Sequence, residues 1–205
     1  MNSTRRTYAL SDPHGHLAPL EQAMRIVDLD GDPDASLVLL GDYINRGPDS
    51  LGVLNAVRRT VLAHPDRAVA LLGNHEVAFL EWLADDEGHA DGWLLEDPEL
   101  LTLRSMLDEA ELQAVISAHV TVEAAGVALK QTLRDRHGEL LRWLQRLPLT
   151  YETEHAIYVH AGVDELAGAD WRAFTPDHFF THKFPASTGR FVKTIIAGHV
   201  RAGTL

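Results

Sequence analysis

The sequence predicts an α/β fold, because short apolar runs alternate with stretches of helical spacing and the first three runs each end in a polar loop. The runs span residues 7–10, 37–40 and 68–72, and the loops span 11–15, 41–47 and 73–76. Strand, loop and helix in threefold succession argue for βαβ units with right-handed crossovers, which bring all three loops to one edge of a parallel sheet. A chain of 205 residues, 45% of them hydrophobic, can bury one substantial core. A single domain over residues 1–205 is therefore expected, with a helical insertion at about residues 85–147.

Each element has a local reason. Pro13 and Gly15 break the first strand, after which Leu17, Leu20, Met24 and Val27 recur at helical spacing. The second strand closes in Gly41-Asp42, and Pro48, Asp49 and Ser50 then supply helix-start chemistry before Leu51, Leu54, Val57 and Val61. The third ends in Gly73-Asn74-His75, with a helix expected over residues 76–83. From residue 85 acidic turns and helical runs take over, carrying Trp93, Leu94, Leu100, Leu103, Met106 and Leu107, then Leu140, Leu141, Trp143, Leu144 and Leu147. This insertion is expected to lie over the ligand-bearing edge of the sheet and to stop at Pro148. Residues 149–152 and 156–160 flank the polar turn Thr153-Glu154-His155 and predict a hairpin, and residues 193–197 form a last strand ending in Gly198-His199.

Composition bounds the chemistry. The absence of cysteine excludes disulfides and thiolate metal sites, so any metal is held by oxygen and imidazole. A formal net charge of −12 argues against a nucleic-acid backbone as partner. Small phosphate substrates stay open, because bound divalent cations reverse the local sign of an acidic site. The apolar run near the start is too short for a signal-peptide core or a membrane span, so a cytoplasmic chain without a membrane partner is expected.

The loops carry residues suited to metal chemistry. Asp12 and His14 stand two apart, where both side chains can converge on one ion. Asp42 follows at the adjacent strand end, and a carboxylate has two oxygens with which to bridge metals about 3.5–4 Å apart. Asn74 offers an amide oxygen and His75 an imidazole, while His160 and His199 close the two later strands. Any one of these is more often a cap or packing residue; their joint appearance at strand ends points to a metal site.

In order along the chain, SDPHG, GDYINRG, GNHE, HAG and GH resemble the GDxHG, GDxxDRG, GNHE, HxG and GH pattern of the calcineurin-like metallophosphoesterases. Within that superfamily the chain is most similar to the bacterial members of the phosphoprotein phosphatase family, and the likeness runs from Asp12 to His199. The resemblance implies a β-sandwich flanked by helices around two divalent metal ions. Asp12, His14 and Asp42 would bind the first ion, and Asp42, Asn74, His160 and His199 the second. Mn²⁺ is the expected metal, with Fe and Zn²⁺ also suited to oxygen and nitrogen donors. A hydroxide bridging the metals would attack phosphorus without a phosphoenzyme. Arg46 would clamp phosphoryl oxygens through its planar fork, and His75 would act as general acid toward the leaving oxygen. Glu76 would orient the loop or cap the following helix.

The pattern breaks in three places. Asn45 stands where the family has an aspartate that pairs with the acid histidine, so it brings no charge to raise the imidazole pKa, and impaired turnover is expected. Relatives carry a further phosphate-binding arginine before the last strand, whereas this chain has Phe179-Phe180-Thr181-His182-Lys183-Phe184. His182 or Lys183 would take that role, with Arg172 as runner-up and an aromatic packing patch as the plain alternative. Lastly, relatives continue with further strands, and only residues 200–205 follow the final motif, so either the chain is shortened or a sheet edge is left open. The expected function is a dinuclear-metal phosphomonoester hydrolase acting on phosphoserine or phosphothreonine in proteins. A nucleotide phosphohydrolase, such as a symmetrical diadenosine tetraphosphatase, and a phosphate-binding pseudophosphatase are the alternatives.

Overall fold

A computed structural model describes residues 6–85, 93–94 and 97–200 of the chain. The first half runs β1 (Arg6–Leu10), α1 (Leu17–Val27), β2 (Ala35–Leu39), α2 (Ser50–Ala63), β3 (Ala68–Ala70) and α3 (Asn74–Ala84). Helices α4 (Leu101–Met106), α5 (Glu109–Ser117) and α6 (Val122–Leu144) follow. The hairpin β4 (Thr150–Glu152) and β5 (Ala156–Val159) comes next, then a 3₁₀ turn (Glu165–Asp170), the short helices α7 (Trp171–Phe174) and α8 (Asp177–His182), and β6 (Thr194–Ala197).

Two three-stranded sheets form, in the orders β1-β2-β3 and β4-β5-β6. The first is wholly parallel, as the βαβ reading requires. In the second, β4 and β5 pair antiparallel as the predicted hairpin, and β6 runs parallel to β5. Alternation along β2 explains the layering. Leu37 and Leu39 face α1 and α2, meeting Leu20, Val27, Val53, Leu54 and Val57, while Val38 and Leu40 face the other way onto Ala156 and Tyr158 of β5. The α/β sandwich implied by the resemblance is thus present. Ile157 and Val159, on the outer face of β5, pack against Trp171 and Phe180.

Helix starts follow capping chemistry. Asp49 accepts from the Gly52 N–H at 2.7 Å, Asp108 from the Glu111 N–H at 2.8 Å, and Thr121 from the Ala124 N–H at 3.2 Å. α3 begins two residues earlier than predicted, which places Asn74 and His75 in its first turn.

The insertion departs from expectation in its position. Its apolar residues Leu103, Met106, Leu112, Leu129, Leu133, Leu140, Leu141 and Leu144 join the same core as β2, α2 and α3. Phe79 and Trp82 of α3 stack with Trp93, with ring centroids 4.8–6.0 Å apart. An apolar stripe needs an apolar partner, and the helical side of the sheet offers one whereas the polar loop edge does not. The insertion therefore thickens the helical layer and reaches the loop edge by hydrogen bonds from Thr102 to Asn45 and from the Leu51 N–H to Ser105. Part of the predicted insertion, residues 86–92 and 95–96, lies outside the described residues, as do residues 201–205. Among the described residues no helix is long and apolar enough to cross a membrane.

Because Leu103 of α4 is fully buried in the core shared with α2 and α3, Leu103→Ala should cost about 2–5 kcal/mol. Denaturation followed by tryptophan fluorescence and by circular dichroism should show one coincident transition; separate transitions would mean that the insertion folds apart from the sandwich.

Candidate dinuclear metal centre

The parallel strands of the first sheet end side by side, and the chain leaves each in a tight loop. Backbone strain concentrates there: Asp12, His14, Asp42, Asn45 and Arg46 all adopt positive φ, between 40° and 66°, as does His199 after β6 of the second sheet. The loops also touch closely, since a Cβ on Gly41 would lie 2.3 Å from the Gly73 nitrogen. At φ 102° that position belongs to glycine in any case.

Glu76 holds two of these loops together. Its fully buried carboxylate accepts from the N–H groups of Asp42 and Tyr43, both at 2.7 Å, from Gly73 at 3.0 Å and from Ile44 at 3.1 Å. Both roles considered for it are therefore filled, as it closes the start of α3 and shapes the Asp42 loop. The Tyr43 hydroxyl lies 3.0 Å from the Leu39 carbonyl and 2.8 Å from that of Leu71, tying the loop back to the ends of β2 and β3.

Two clusters share Asp42. The His160 Nδ1–H donates to the Leu40 carbonyl at 2.8 Å, which leaves the Nε2 lone pair facing inward. That nitrogen lies 3.0 Å from Asn74 Oδ1, 3.2 Å from His199 Nδ1 and 3.4 Å from Asp42 Oδ1. In the other cluster the His14 Nδ1–H donates to the Ile44 carbonyl at 2.9 Å, and Nε2 lies 3.5 Å from Asp42 Oδ2 and 3.9 Å from Asp12 Oδ1. His75 Nε2 is 3.8 Å from the same Asp42 oxygen. The ligand atoms of His14, Asp42 and His75, and those of Asp42, His160 and His199, lie within 4.8 Å of one another. The six residues that the resemblance assigned to metals thus converge as two groups bridged by Asp42.

The electrostatics fit cations. Burial, then the carboxylates of Glu76 and Asp12, pushes Asp42 up to about 9. Burial brings His160 down to about 4, and burial with His14 and Arg46 brings His75 down to about 3. For Asp12, burial works upward but is outweighed by the Ser11 hydroxyl, by His160 and by the His199 N–H, so it lies below its ordinary value. Neutral imidazoles and crowded buried carboxylates are a donor set that a divalent ion satisfies.

Arg46 does not point outward to await phosphate. Its Nη1 donates to His14 Nε2 at 2.7 Å, and Nη2 lies 3.1 Å from His75 Nε2. A metal on His14 and the Arg46 guanidinium compete for one lone pair. Asn45 is fully buried, with Nδ2 3.0 Å from His75 Nδ1 and Oδ1 accepting from the Thr102 hydroxyl at 2.7 Å.

Lys183 and Arg172 are each already engaged by a carboxylate and a ring. The Lys183 ammonium pairs with Glu165 at 3.0 Å and lies over Phe179, and Arg172 pairs with Glu152 and lies over Trp171. In each case a nearby carboxylate and a ring hold the cation. His182, exposed at the end of α8, bonds Thr181 at 2.7 Å and is near enough to help depress His199. Two residues at the site were not singled out from the sequence. Ser11, visible as a departure from the motif glycine, donates to Asp12, while Thr102 lies 57 residues from Asn45 with no local signal.

Carboxylates, imidazoles and an arginine gathered at strand ends place the chain among the metallophosphoesterase folds. The chain belongs to the calcineurin-like phosphoesterase family, whose model matches residues 5–200. Over 81 residues it is 42% identical to the symmetrical bis(5'-nucleosyl)-tetraphosphatase of Chromobacterium violaceum, covering 40% of this chain and 26% of that one. It is 28% identical over 171 residues to the protein of the same name from Bordetella pertussis, covering 80% of this chain and 52% of the relative. The chain spans about half the length of such relatives. A solved serine/threonine phosphatase from Saccharomyces cerevisiae is similar at a TM-score of 0.49 and 17% identity, over 91% of this chain and 46% of that chain.

Glu76→Gln, which sets an NH₂ among four N–H donors, should destabilise the fold by about 3 kcal/mol, read as a lower urea midpoint at unchanged slope. A second expectation concerns pH. With Asp42 near 9 and His160 and His75 well below neutrality, a metal ion entering at neutral pH displaces the Asp42 proton and no imidazolium proton from these two. Affinity measured by isothermal titration should then rise with pH from 6 toward 9, by up to about tenfold per unit. A flat profile would contradict the assignment of Asp42 as a ligand.

Proposed function

We propose that this chain is a divalent-metal-dependent hydrolase of phosphoanhydrides, with a dinucleoside polyphosphate as substrate. The observation that carries the reading is the pair of clusters bridged by Asp42, beside a histidine that is held neutral. Asp12, His14 and Asp42 would hold one ion, and Asp42, Asn74, His160 and His199 the other; Mn²⁺ suits both. When bound, such ions activate water and neutralise phosphoryl charge. Arg46 turns off His14 and His75 to hold phosphoryl oxygens with its fork.

The neutral histidine separates the substrate classes. A serine or threonine leaving group departs as a strongly basic alkoxide and needs a proton in the transition state, which general acid catalysis supplies. A nucleoside polyphosphate is a weak base and leaves without one. His75, near 3 and facing an amide where the family has a carboxylate, is a poor proton source. This favours the nucleotide reading over the phosphoprotein reading that the motif resemblance ranked first. The activity for which the Chromobacterium violaceum and Bordetella pertussis relatives are named supports the same choice. Phosphate binding without turnover is a second reading, favoured by the same Asn45–His75 contact.

The test is hydrolysis of diadenosine tetraphosphate and of a phosphoserine peptide by the Mn²⁺-loaded chain and its Asn45→Asp variant. The wild type should cleave the dinucleotide. Asn45→Asp should raise kcat on the phosphopeptide about 10²-fold or more and change the anhydride rate by less than about tenfold. Retention of both compounds with no turnover by either protein would favour the binding module instead. An equal gain on both substrates would overturn the leaving-group argument.

A further inference from the structure

One cavity lies within the helical insertion, and none of its lining residues belongs to the metal clusters. It measures about 300 Å³ and is lined by Leu100 and Leu103 of α4, Ile116 of α5 and Leu129 of α6, with Gly126 and His119 among them. Val120 and Val122, both exposed, lie at its mouth. Among the described residues no Lys, Arg, Asp or Glu lines it. A folded interior keeps few voids larger than a water molecule, whereas ligand pockets are concave, mostly apolar and carry a small number of placed polar groups.

Gly126 keeps this space open. It is buried within a 23-residue helix, and its backbone is helical, so no positive φ calls for glycine. A Cβ there would meet nothing within 4 Å, so no close approach calls for it either. Alanine would favour the helix. What glycine alone provides is an unfilled wall of the cavity.

His119 supplies the polar group. Its Nδ1–H donates to the Val115 carbonyl at 2.7 Å, and a carbonyl can only accept, so in the neutral ring Nε2 carries the lone pair. An occupant suited to these walls is neutral, because no charged side chain meets it, and largely apolar, because the lining is. It also carries an N–H at one edge, for His119 to accept from. An amino-bearing heterocycle meets all three conditions.

We infer that this cavity is a nucleobase site, and that the ring it takes is an adenine of the dinucleotide substrate. The choice of adenine among amino-bearing heterocycles rests on the proposed function. Leu100 and Leu103 line the cavity while Thr102, between them, bonds Asn45, so a single turn of α4 links the base site to the reaction edge.

The test is calorimetric titration of the full chain with adenosine and with purine riboside, which lacks the amino group. Adenosine carries no phosphate, so its binding is read without metal or turnover. The wild type should bind adenosine, and purine riboside several-fold more weakly. Gly126→Ala should raise Tm and yet weaken adenosine binding about tenfold, a pairing of opposite signs that a merely structural glycine would not give. His119→Phe should remove the preference for adenosine over purine riboside. No adenosine binding by the wild type overturns the site, as does undiminished binding by Gly126→Ala. In the Mn²⁺-loaded chain, Gly126→Ala should raise KM for diadenosine tetraphosphate more than it lowers kcat. An unchanged KM beside weakened adenosine binding overturns the assignment to the substrate and gives the site to a separately bound nucleoside. Absence of hydrolysis with adenosine bound as expected sinks the proposed function and leaves the base site standing.

Discussion

The buried carboxylate of Glu76 is the interaction on which the rest of the site depends. It sits one turn into α3, yet its oxygens collect N–H groups from the Asp42 loop as well as from its own helix start. A loop carrying left-handed residues at Asp42, Asn45 and Arg46 is not a conformation the backbone chooses unaided. The carboxylate stabilises it by charge-assisted bonds in a place water does not reach, where each bond is strong and each loss costly. Burial pushes Glu76 upward and the four N–H groups oppose it, so the loop and the charge hold one another.

The layered fold was legible because period and punctuation coincide. In β2 a residue-by-residue alternation separates Leu37 and Leu39 from Val38 and Leu40, and each set meets a different layer. The metal-cluster residues were legible for a related reason, since they sit where strands stop. What the sequence did not disclose depends on tertiary packing. Which face the insertion covers is decided by Phe79, Trp82 and Trp93 finding one another, and no local spacing encodes that meeting. Lys183 and Arg172 read as phosphate cations because charge is visible in a sequence, whereas the Glu165 and Glu152 carboxylates that engage them are visible only in space.

Asn45 shows how one amide changes what a site is suited to do. An aspartate there could only accept, and would favour a protonated ring. An amide offers both a donor and an acceptor, and here it is shared between His75 and the Thr102 hydroxyl. The insertion, which lies mostly against the helical layer, thereby gains a direct hold on the reaction edge.

Arg46 gives the two clusters unequal histories. The chain supplies its own cation to His14 and His75, a tethered counter-ion that also works to lower Asp42. No guanidinium bonds His160 or His199 among the described residues. Asp42, Asn74, His160 and His199 would thus hold an ion without competition from a guanidinium, whereas at His14 the arginine competes for the ring nitrogen. An ion held at His14 would therefore have to displace the arginine, and that displacement would free the same side chain to meet phosphate.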